Sequence, residues 1–276
     1  MGRSRMDDLH ICVAFDQNFI IPANTMINSI LRNTTEVVHF HLLVPSRQFD
    51  VGVVFLDQPN PFNHGIFSIY PVEENSIEFS IAMDGILHFS NAALYRLFMT
   101  QYLPKRIDRI LYLDGDLIVN LDISEVFKEN SNSVFSARIE NEEIGYFNSG
   151  VFLTSLNYWR SNEIGKRCAD YLTQNPESQY KDQDALNHVF LNINKPMDKR
   201  FNYPIQDYGL FQNRNLKRAV FHFTGTIKPW KDHAPSVFPV TLWRRIYADT
   251  YGRPVALQKV RYRRIKKIIL TLKCIR

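Results

Sequence analysis

Apolar runs typical of strands alternate with segments of helical spacing in the first part of the chain. Residues 10–15, 39–45 and 65–72 ("HICVAF", "HFHLLVP" and "GIFSIYPV") have the composition of buried strands. Between the first two, Pro22 opens a segment whose apolar residues recur at helical spacing. Strand, helix and strand in this order predict a parallel sheet whose strands are joined by crossover helices.

The same patterns predict the remaining elements. Strands are expected over residues 110–113, 134–139, 149–156 and 219–223, and helices over residues 91–101, 158–174 and 182–191. With 276 residues, of which 45% are apolar, the chain is long enough to bury the core of one large α/β domain. We expect an α/β domain over residues 1–235 and a helical C-terminal extension over residues 236–276.

Two aspartates follow the predicted strand 110–113, in the sequence "ILYLDGD". If the backbone stays extended, Asp114 and Asp116 point the same way, and their repulsion is unfavourable unless a positive charge lies between them. The pair therefore either lies in a solvated turn or holds a cation such as Mg²⁺ or Mn²⁺, for which carboxylate oxygens are good ligands. The chain contains a second pair with the same spacing, Asp182 and Asp184, so that context has to decide between these readings.

The position of the first pair in the predicted sheet favours a binding site. In open α/β sheets ligands bind at the carboxyl ends of the strands, and Asp16 also follows a predicted strand. His222, in the strand before the loop "TGTIKPW", is a candidate third ligand, and an imidazole would favour Mn²⁺. The alternative is a histidine at a strand end that is bonded to the backbone.

The distribution of charge and cysteine excludes several classes of protein. The net charge of +5 arises at the C-terminus, because residues 257–276 carry eight Lys and Arg and no acid, which leaves −3 on the rest. A body of this charge is not typical of nucleic-acid-binding proteins. Three separated cysteines, Cys12, Cys168 and Cys274, form neither a metal nor a disulfide pattern. Without features of a signal peptide or a membrane span, the sequence predicts a cytoplasmic protein.

Six short motifs occur in a characteristic order. They are "AFDQNF" (14–19), "LYR" (94–96), "ILYLDGD" (110–116), "YFNSGV" (146–151), "DQDALN" (182–187) and "HFTGTIKPW" (222–230). On these motifs the chain resembles glycosyltransferase family 8, the retaining, nucleotide-sugar-dependent enzymes that include bacterial lipopolysaccharide galactosyl- and glucosyltransferases. The resemblance implies a glycosyltransferase A fold, which is an α/β fold with a mostly parallel mixed sheet flanked by helices.

The resemblance also implies where the donor and its metal bind. Asp114, Asp116 and His222 match the family's ligands for Mn²⁺, with Mg²⁺ as the alternative ion, held against the diphosphate of a UDP-sugar. Gly225 and Lys228 match the loop that closes on the diphosphate, where a lysine would stabilise the charge of the leaving group.

Further roles in the donor site follow from the same motifs. The uridine contacts are expected at Ala14, Asp16, Asn18 and Phe19, where Phe19 replaces a more usual tyrosine. The residues expected to contact the rest of the donor are Arg96, Gly115, Asn148, Ser149, Asp182 and Gln183. The expected catalytic residues are Arg96, Asp182, Gln183 and Lys228. Glu140 lies near the position where the family often has an aspartate. Taken singly, each residue also has a structural reading, such as a helix cap for Asp182.

The function implied is transfer of galactose or glucose, with retention, from a UDP-sugar to a saccharide or glycolipid acceptor such as the lipopolysaccharide core. An aspartyl-phosphate phosphatase is one alternative, although those enzymes carry the aspartate pair on their first strand, with Thr or Val where this chain has Leu117. The other alternative is a catalytically inactive, membrane-associated sugar-binding module.

The basic C-terminal residues 257–276 predict contact with a membrane surface. If helical, this segment places apolar side chains along one stripe and most of its basic residues opposite. Such a helix can lie in the interface of an anionic membrane, here the inner face of the inner membrane, as a peripheral attachment. The stripe could instead pack on the body of the protein.

Overall fold

The computed structural model describes residues 8–48, 50–74, 91–210 and 216–259. Its strands are β1 (Leu9–Ala14), β2 (Val38–Pro45), β3 (Gly65–Val72), β4 (Arg109–Leu113), β5 (Leu117–Val119), β6 (Phe135–Asn141), β7 (Tyr146–Ser155), β8 (Lys195–Pro196), β9 (Tyr203–Pro204) and β10 (Val220–His222). Its α-helices are α1 (Ile20–Asn33), α2 (Asp50–Leu56), α3 (Met99–Tyr102), α4 (Ser124–Glu129), α5 (Leu156–Ser161), α6 (Ile164–Gln174), α7 (Asp182–Phe190), α8 (Ile205–Leu210) and α9 (Phe238–Tyr251).

Seven strands form the main sheet in the order β3-β2-β1-β4-β7-β6-β8. The first four are parallel, whereas β7 runs antiparallel to both β4 and β6. The predicted mostly parallel mixed sheet is therefore confirmed. Because side chains alternate along each strand, Ile11 and Val13 pack on one face of the sheet with α1, while Cys12 and Ala14 pack in a second core on the other face.

A second, three-stranded sheet has the order β5-β10-β9 and supports the carboxyl end of β4. In this sheet β10 runs antiparallel to β5, with His222 opposite Leu117. The amide of Phe223 donates to the carbonyl oxygen of Asp116 at 3.0 Å. The antiparallel pairing therefore places His222 beside the two aspartates that follow β4.

Two predicted helices are wrong in detail. Residues 91–101 form a 3₁₀ helix, Asn91–Phe98, followed by α3. The predicted helix 158–174 is two helices, α5 and α6, which are separated at Glu163, where φ is 48°. The break lets α6 approach the 3₁₀ helix so closely that a Cβ on Gly165 would lie 2.7 Å from the carbonyl oxygen of Leu97. Tertiary packing here overrides the helical spacing of the sequence.

Helix α9 packs on the body of the protein. Its buried residues, among them Trp243, form a core with Phe221 of β10 and Ile118 of β5. The helix ends at Gly252, which has the positive φ of 66° typical of a helix C-cap. The chain then returns, and the amide of Gln258 donates to the carbonyl oxygen of Trp230 at 2.9 Å. Most of the predicted membrane-binding stripe, residues 260–276, lies outside the described residues.

Three histidines cluster on β1 and β2. His41 is buried, its Nε2 lies 3.0 Å from Nδ1 of His10, and its Nδ1 lies 3.1 Å from the hydroxyl of Tyr70. Burial, followed by the positive charges of His10, His39 and Arg106, lowers the pKa of His41 to about 3. The folded protein therefore keeps this imidazole neutral in mildly acidic solution.

We expect His41 to make the stability of the protein fall as the pH is lowered from about 6.5. An unfolded histidine binds a proton near pH 6.5, whereas folded His41 binds one only near pH 3, so that acid favours the unfolded chain. Between pH 7 and pH 5 the loss should reach about 2 kcal/mol, at about 1.4 kcal/mol per pH unit below 6.5. Urea unfolding of His41→Gln should show a smaller loss, whereas His233→Gln, at an exposed histidine, should behave as the wild type. Equal pH dependence in wild type and His41→Gln would contradict this.

Candidate active site

Polar residues from seven segments meet at the carboxyl ends of β1 and β4. Asp16 follows β1, and Asp114 and Asp116 follow β4. The other contributions are Arg96 from the 3₁₀ helix, Asn148 and Ser149 from β7, Asp182 and Gln183 from the start of α7, His222 from β10 and Lys228 from the loop after it. The fold therefore brings the residues from the sequence motifs together at one end of the central strands.

Asp114, Asp116 and His222 form a group that could hold a metal ion. Each offers one ligand atom, and these atoms all lie within 4.8 Å of one another. His222 Nε2 lies 3.3 Å from Oδ1 of Asp116 and 3.7 Å from Oδ2 of Asp114. Two carboxylates and an imidazole suit Mn²⁺ or a similar divalent ion. The chemistry of this donor set therefore fits the metal that the sequence motifs imply.

Each aspartate forms an ion pair through its outer oxygen, which is the carboxylate oxygen that does not face His222. Nη2 of Arg96 lies 2.9 Å from Oδ1 of Asp114, and Nζ of Lys228 lies 2.5 Å from Oδ2 of Asp116. The other oxygen of each carboxylate faces His222. Each aspartate can therefore keep its ion pair and still present one oxygen to a metal ion.

The pKa shifts follow from this arrangement. Burial would raise the pKa of Asp116, but the ammonium group of Lys228 outweighs it and holds that pKa well below its usual value. Burial would lower the pKa of Arg96, but the carboxylates of Asp114 and Asp182 reverse the shift and raise it above its usual value. Asp116 and Arg96 are therefore charged at neutral pH.

Arg96 joins the metal-binding group to the start of α7. Only 5% of the residue is exposed, and its Nε lies 3.1 Å from Oδ2 of Asp182. Its Nη1 donates to the carbonyl oxygen of Ser149 at 2.7 Å, and the guanidinium lies 4.5 Å from the ring centre of Tyr112. Burial raises the pKa of Asp182 to about 6, although Arg96 opposes that shift. Asp182 and Arg96 thus form one buried ion pair.

Gln183 is held at both ends of its amide. Its Oε1 accepts from the amide of Ser149 at 3.0 Å, and its Nε2 donates to the hydroxyl of Tyr146 at 3.2 Å. The same hydroxyl donates to Oδ1 of Asp184 at 2.5 Å. Asp184, from the second aspartate pair, therefore orients Tyr146 and, through it, Gln183. Lys181, just before Asp182 in the chain, has a positive φ of 39°, and strain of this kind is common beside active sites. Neither Tyr146 nor Asp184 is among the site residues predicted from the sequence.

The residues predicted to contact uridine lie after β1. Oδ1 of Asp16 accepts from the amide of Asn18 at 2.8 Å, and Asn18 is exposed. The ring of Phe19 meets Trp230 edge to face with centroids 6.0 Å apart. A Cβ on the buried Gly115 would lie 3.3 Å from Cδ1 of Phe19. Ala14 ends β1, so the predicted uridine contacts and Gly115 share one corner of the site.

Two further sequence-predicted residues lie in more open positions. Gly225 is exposed in the loop after β10 and has a positive φ of 66°. Gln206 holds this loop, because its Nε2 donates to the carbonyl oxygen of Thr224 at 2.9 Å. Glu140 is exposed near the end of β6, which bulges there against β7.

Gly150 is a site residue that was not predicted from the sequence, although it lies in the motif "YFNSGV". A Cβ at this position would clash with Cε1 of His222 and would lie 2.7 Å from Oδ2 of Asp114. The carbonyl oxygen of Gly150 also accepts from the amide of Asp114 at 2.8 Å. Only glycine lets β7 pass directly beneath two of the candidate metal ligands.

Comparison with known proteins agrees with this geometry. The sequence model of Glycosyl transferase family 8 matches residues 10–234. The chain belongs to this family. It is 24% identical over 277 residues to a lipopolysaccharide 1,2-glucosyltransferase of Escherichia coli, covering 87% of this chain and 80% of the relative. It is also 24% identical over 267 residues to a lipopolysaccharide 1,3-galactosyltransferase of Salmonella typhimurium, covering 86% and 77%.

The fold of this family 8 glycosyltransferase is shared with solved structures. The galactosyltransferase LgtC, in complex with donor and acceptor sugar analogs, superposes with a TM-score of 0.71 at 22% identity. The match covers 89% of this chain and 98% of LgtC. The predicted family and the predicted glycosyltransferase A fold are thus both confirmed.

We expect Gly150→Ala to weaken binding of a divalent metal ion, with Mn²⁺ as the probe, roughly 10- to 100-fold, because the new methyl group must displace His222 or Asp114. Mn²⁺ titration followed by electron paramagnetic resonance measures this directly. Gly52→Ala is the matched control, since its new Cβ would lie 2.7 Å from Cγ2 of Ile69, away from the site. Unchanged Mn²⁺ affinity in a folded Gly150→Ala variant would contradict the expectation.

Proposed function

We propose that this glycosyltransferase transfers galactose or glucose, with retention, from a UDP-sugar to a saccharide acceptor of the lipopolysaccharide or lipooligosaccharide core. The observation that carries the proposal is the group of Asp114, Asp116 and His222, within 4.8 Å of one another and beside Lys228, in a member of family 8. The two relatives named above support the acceptor class, because both are lipopolysaccharide hexosyltransferases. One uses glucose and the other galactose, so both donors belong to the proposal.

The metal we propose is Mn²⁺, with Mg²⁺ as a weaker substitute, because His222 supplies an imidazole among the ligands. Asp114, Asp116 and His222 would hold it. When bound, the ion neutralises the negative charge that the diphosphate gains as it leaves the sugar.

Lys228 is suited to stabilise the leaving group beside the metal ligands. It is mostly buried and donates to both Asp116 and the carbonyl oxygen of Phe223. A donor diphosphate between the Gly225 loop and the aspartates would lie within reach of this ammonium group. Because its charge is desolvated, its interaction with the developing negative charge is stronger than it would be in water.

The contacts of Asp182 and Gln183 favour substitution on the front face of the sugar. A carboxylate nucleophile has to be free to attack the anomeric carbon, yet Oδ2 of Asp182 is paired with Arg96 at 3.1 Å. Gln183 is held by Ser149 and Tyr146. We assign both residues to positioning the sugar, with the acceptor hydroxyl attacking from the side on which the diphosphate departs.

The two alternative functions explain less of the structure. A phosphatase that forms an aspartyl phosphate would use Asp114 or Asp116 as nucleophile, but both are ion-paired with Arg96 or Lys228 beside His222. An inactive sugar-binding module would have no need to keep three metal ligands together. Membership of family 8 supports the transferase.

We expect turnover of UDP-galactose or UDP-glucose to require a divalent ion, with Mn²⁺ more effective than Mg²⁺. Asp116→Asn should lower turnover roughly 100-fold, because it removes a ligand charge from the metal and leaves Lys228 without its partner. Release of UDP, followed with and without a core-saccharide acceptor, measures this. Asp249→Asn, at the surface ion pair with Arg32, is the control and should keep full turnover. Full turnover in EDTA would refute the proposal.

We further propose that the protein works in the cytoplasm, attached to the inner face of the membrane through its basic C-terminus. Eight Lys and Arg without an acidic residue in 257–276 support this, at about 1 kcal/mol of lipid attraction per basic residue near the surface. No helix in the described part of the chain is long and apolar enough to cross a membrane. The division into a catalytic domain and a membrane-association segment also stays a proposal. Because α9 packs on the body and Gln258 is hydrogen-bonded to Trp230 and Asp232, a membrane-association segment that leaves these contacts intact would begin after Gln258.

Removal of residues 260–276 should abolish sedimentation with anionic vesicles at low salt and leave turnover of UDP-sugar intact. Ending the chain at Lys259 keeps the hydrogen bonds between Gln258 and the strand-like segment at residues 230–232. A full-length variant with the basic residues of 260–276 changed to Gln separates charge from length. Vesicle binding that survives both changes, or loss of folding on truncation, would show that these residues belong to the body.

A further inference from the structure

A chain of three buried hydrogen bonds connects the backbone of β7 with His222. The amide of Gly150 donates to Oδ1 of Asn148 at 3.0 Å. The same oxygen lies 2.9 Å from Nδ2 of Asn202, and Oδ1 of Asn202 lies 3.0 Å from Nδ1 of His222. Asn202 is fully buried, and His222 is 3% exposed. Asn202 belongs to none of the six sequence motifs.

The backbone amide of Gly150 determines the direction of the whole chain. A backbone N–H can only donate, so the atom of Asn148 that faces it has to be the carbonyl oxygen. This oxygen also faces Asn202, which must therefore present its NH₂ group. The remaining atom of the Asn202 amide, its oxygen, then faces Nδ1 of His222 and can only accept. Reversing either amide would bring two oxygens or two N–H groups into contact.

We propose that Asn202 is a positioning residue that holds His222 as the Nδ1–H tautomer, which directs the lone pair of Nε2 towards Asp114 and Asp116. The inference rests on the proposed metal site and extends it to a residue that does not touch the metal. In the opposite tautomer, Nε2–H would point at Oδ1 of Asp116, only 3.3 Å away, and would block the ligand position. A partner on the second ring nitrogen commonly fixes a metal-binding histidine in this way.

Asn202 is itself anchored independently of its side chain. Its backbone carbonyl oxygen accepts from Nη1 of Arg138 at 2.9 Å, and Arg138 is paired with Asp207 at 2.7 Å. Its backbone N–H donates weakly to the backbone carbonyl oxygen of Lys199 at 3.4 Å. Substitutions of the Asn202 side chain should therefore leave the path of the backbone unchanged.

The tautomer can be measured in the metal-free protein. Long-range ¹H–¹⁵N spectra of ¹⁵N-histidine-labelled protein, with His222 assigned through His222→Gln and recorded at a pH where its ring is neutral, should show Nδ1 protonated and Nε2 unprotonated. Asn202→Asp loses the NH₂ group that donates to Asn148 but retains an acceptor for Nδ1–H, so it should keep this pattern. Asn202→Leu, of similar size, should lose it. A wild-type ring protonated on Nε2 instead would overturn the proposal.

Mn²⁺ binding without nucleotide provides the second measurement. Asn202→Leu should weaken it 10- to 100-fold, whereas Asn202→Asp should stay close to the wild type. Asn130→Leu, at another buried asparagine with hydrogen bonds to Val126 and Ser136, controls for the loss of a polar core residue. Unchanged tautomer and affinity in Asn202→Leu, or equal weakening in Asn130→Leu, would overturn the proposal. Failure of the wild type to turn over UDP-sugar would instead reject the proposed function and leave the tautomer result standing.

Discussion

The structure of the site depends on keeping two carboxylates together at the end of a buried strand. Asp114 and Asp116 repel each other, and burial adds the cost of removing their charges from water. Arg96 offsets this at Asp114 and Lys228 offsets it at Asp116, each on the outer oxygen. The carboxylate oxygens that face His222 keep the remaining negative charge. A divalent cation bound between them and His222 would neutralise it.

The two sheets make this electrostatic balance possible because they bring its members from distant parts of the chain. β4 delivers the aspartates, and the 3₁₀ helix before it supplies Arg96. The antiparallel pair of β5 and β10 returns the chain so that His222 and the Lys228 loop lie at the same edge. If β10 ran parallel to β5, the carboxyl end of β10 would lie beside Val119, at the far end of β5. The antiparallel pairing instead places His222 opposite Leu117, next to Asp116.

Residues behind the metal ligands and the predicted sugar contacts orient the side chains of the site. Gly150 permits close approach beneath His222 and Asp114, and Tyr146 with Asp184 fixes Gln183. Buried hydrogen bonds of this kind add little to net stability, but the cost of leaving any partner unsatisfied makes the arrangement specific. The site therefore enters metal or donor binding with its side chains already positioned.

The sequence by itself determined the parallel strands at the start of the fold, the family, and the group Asp114, Asp116 and His222. Period-two and helical patterns report burial along a single element, and the six motifs keep their order regardless of how the elements pack. Only the tertiary structure decided that Arg96 lies between two carboxylates, that Asp184 serves Tyr146, and that α5 and α6 break at Glu163. It also decided that α9 belongs to the core. These outcomes depend on contacts between residues far apart in the chain, and no local pattern records which distant partner satisfies a buried charge or fills a gap in the core.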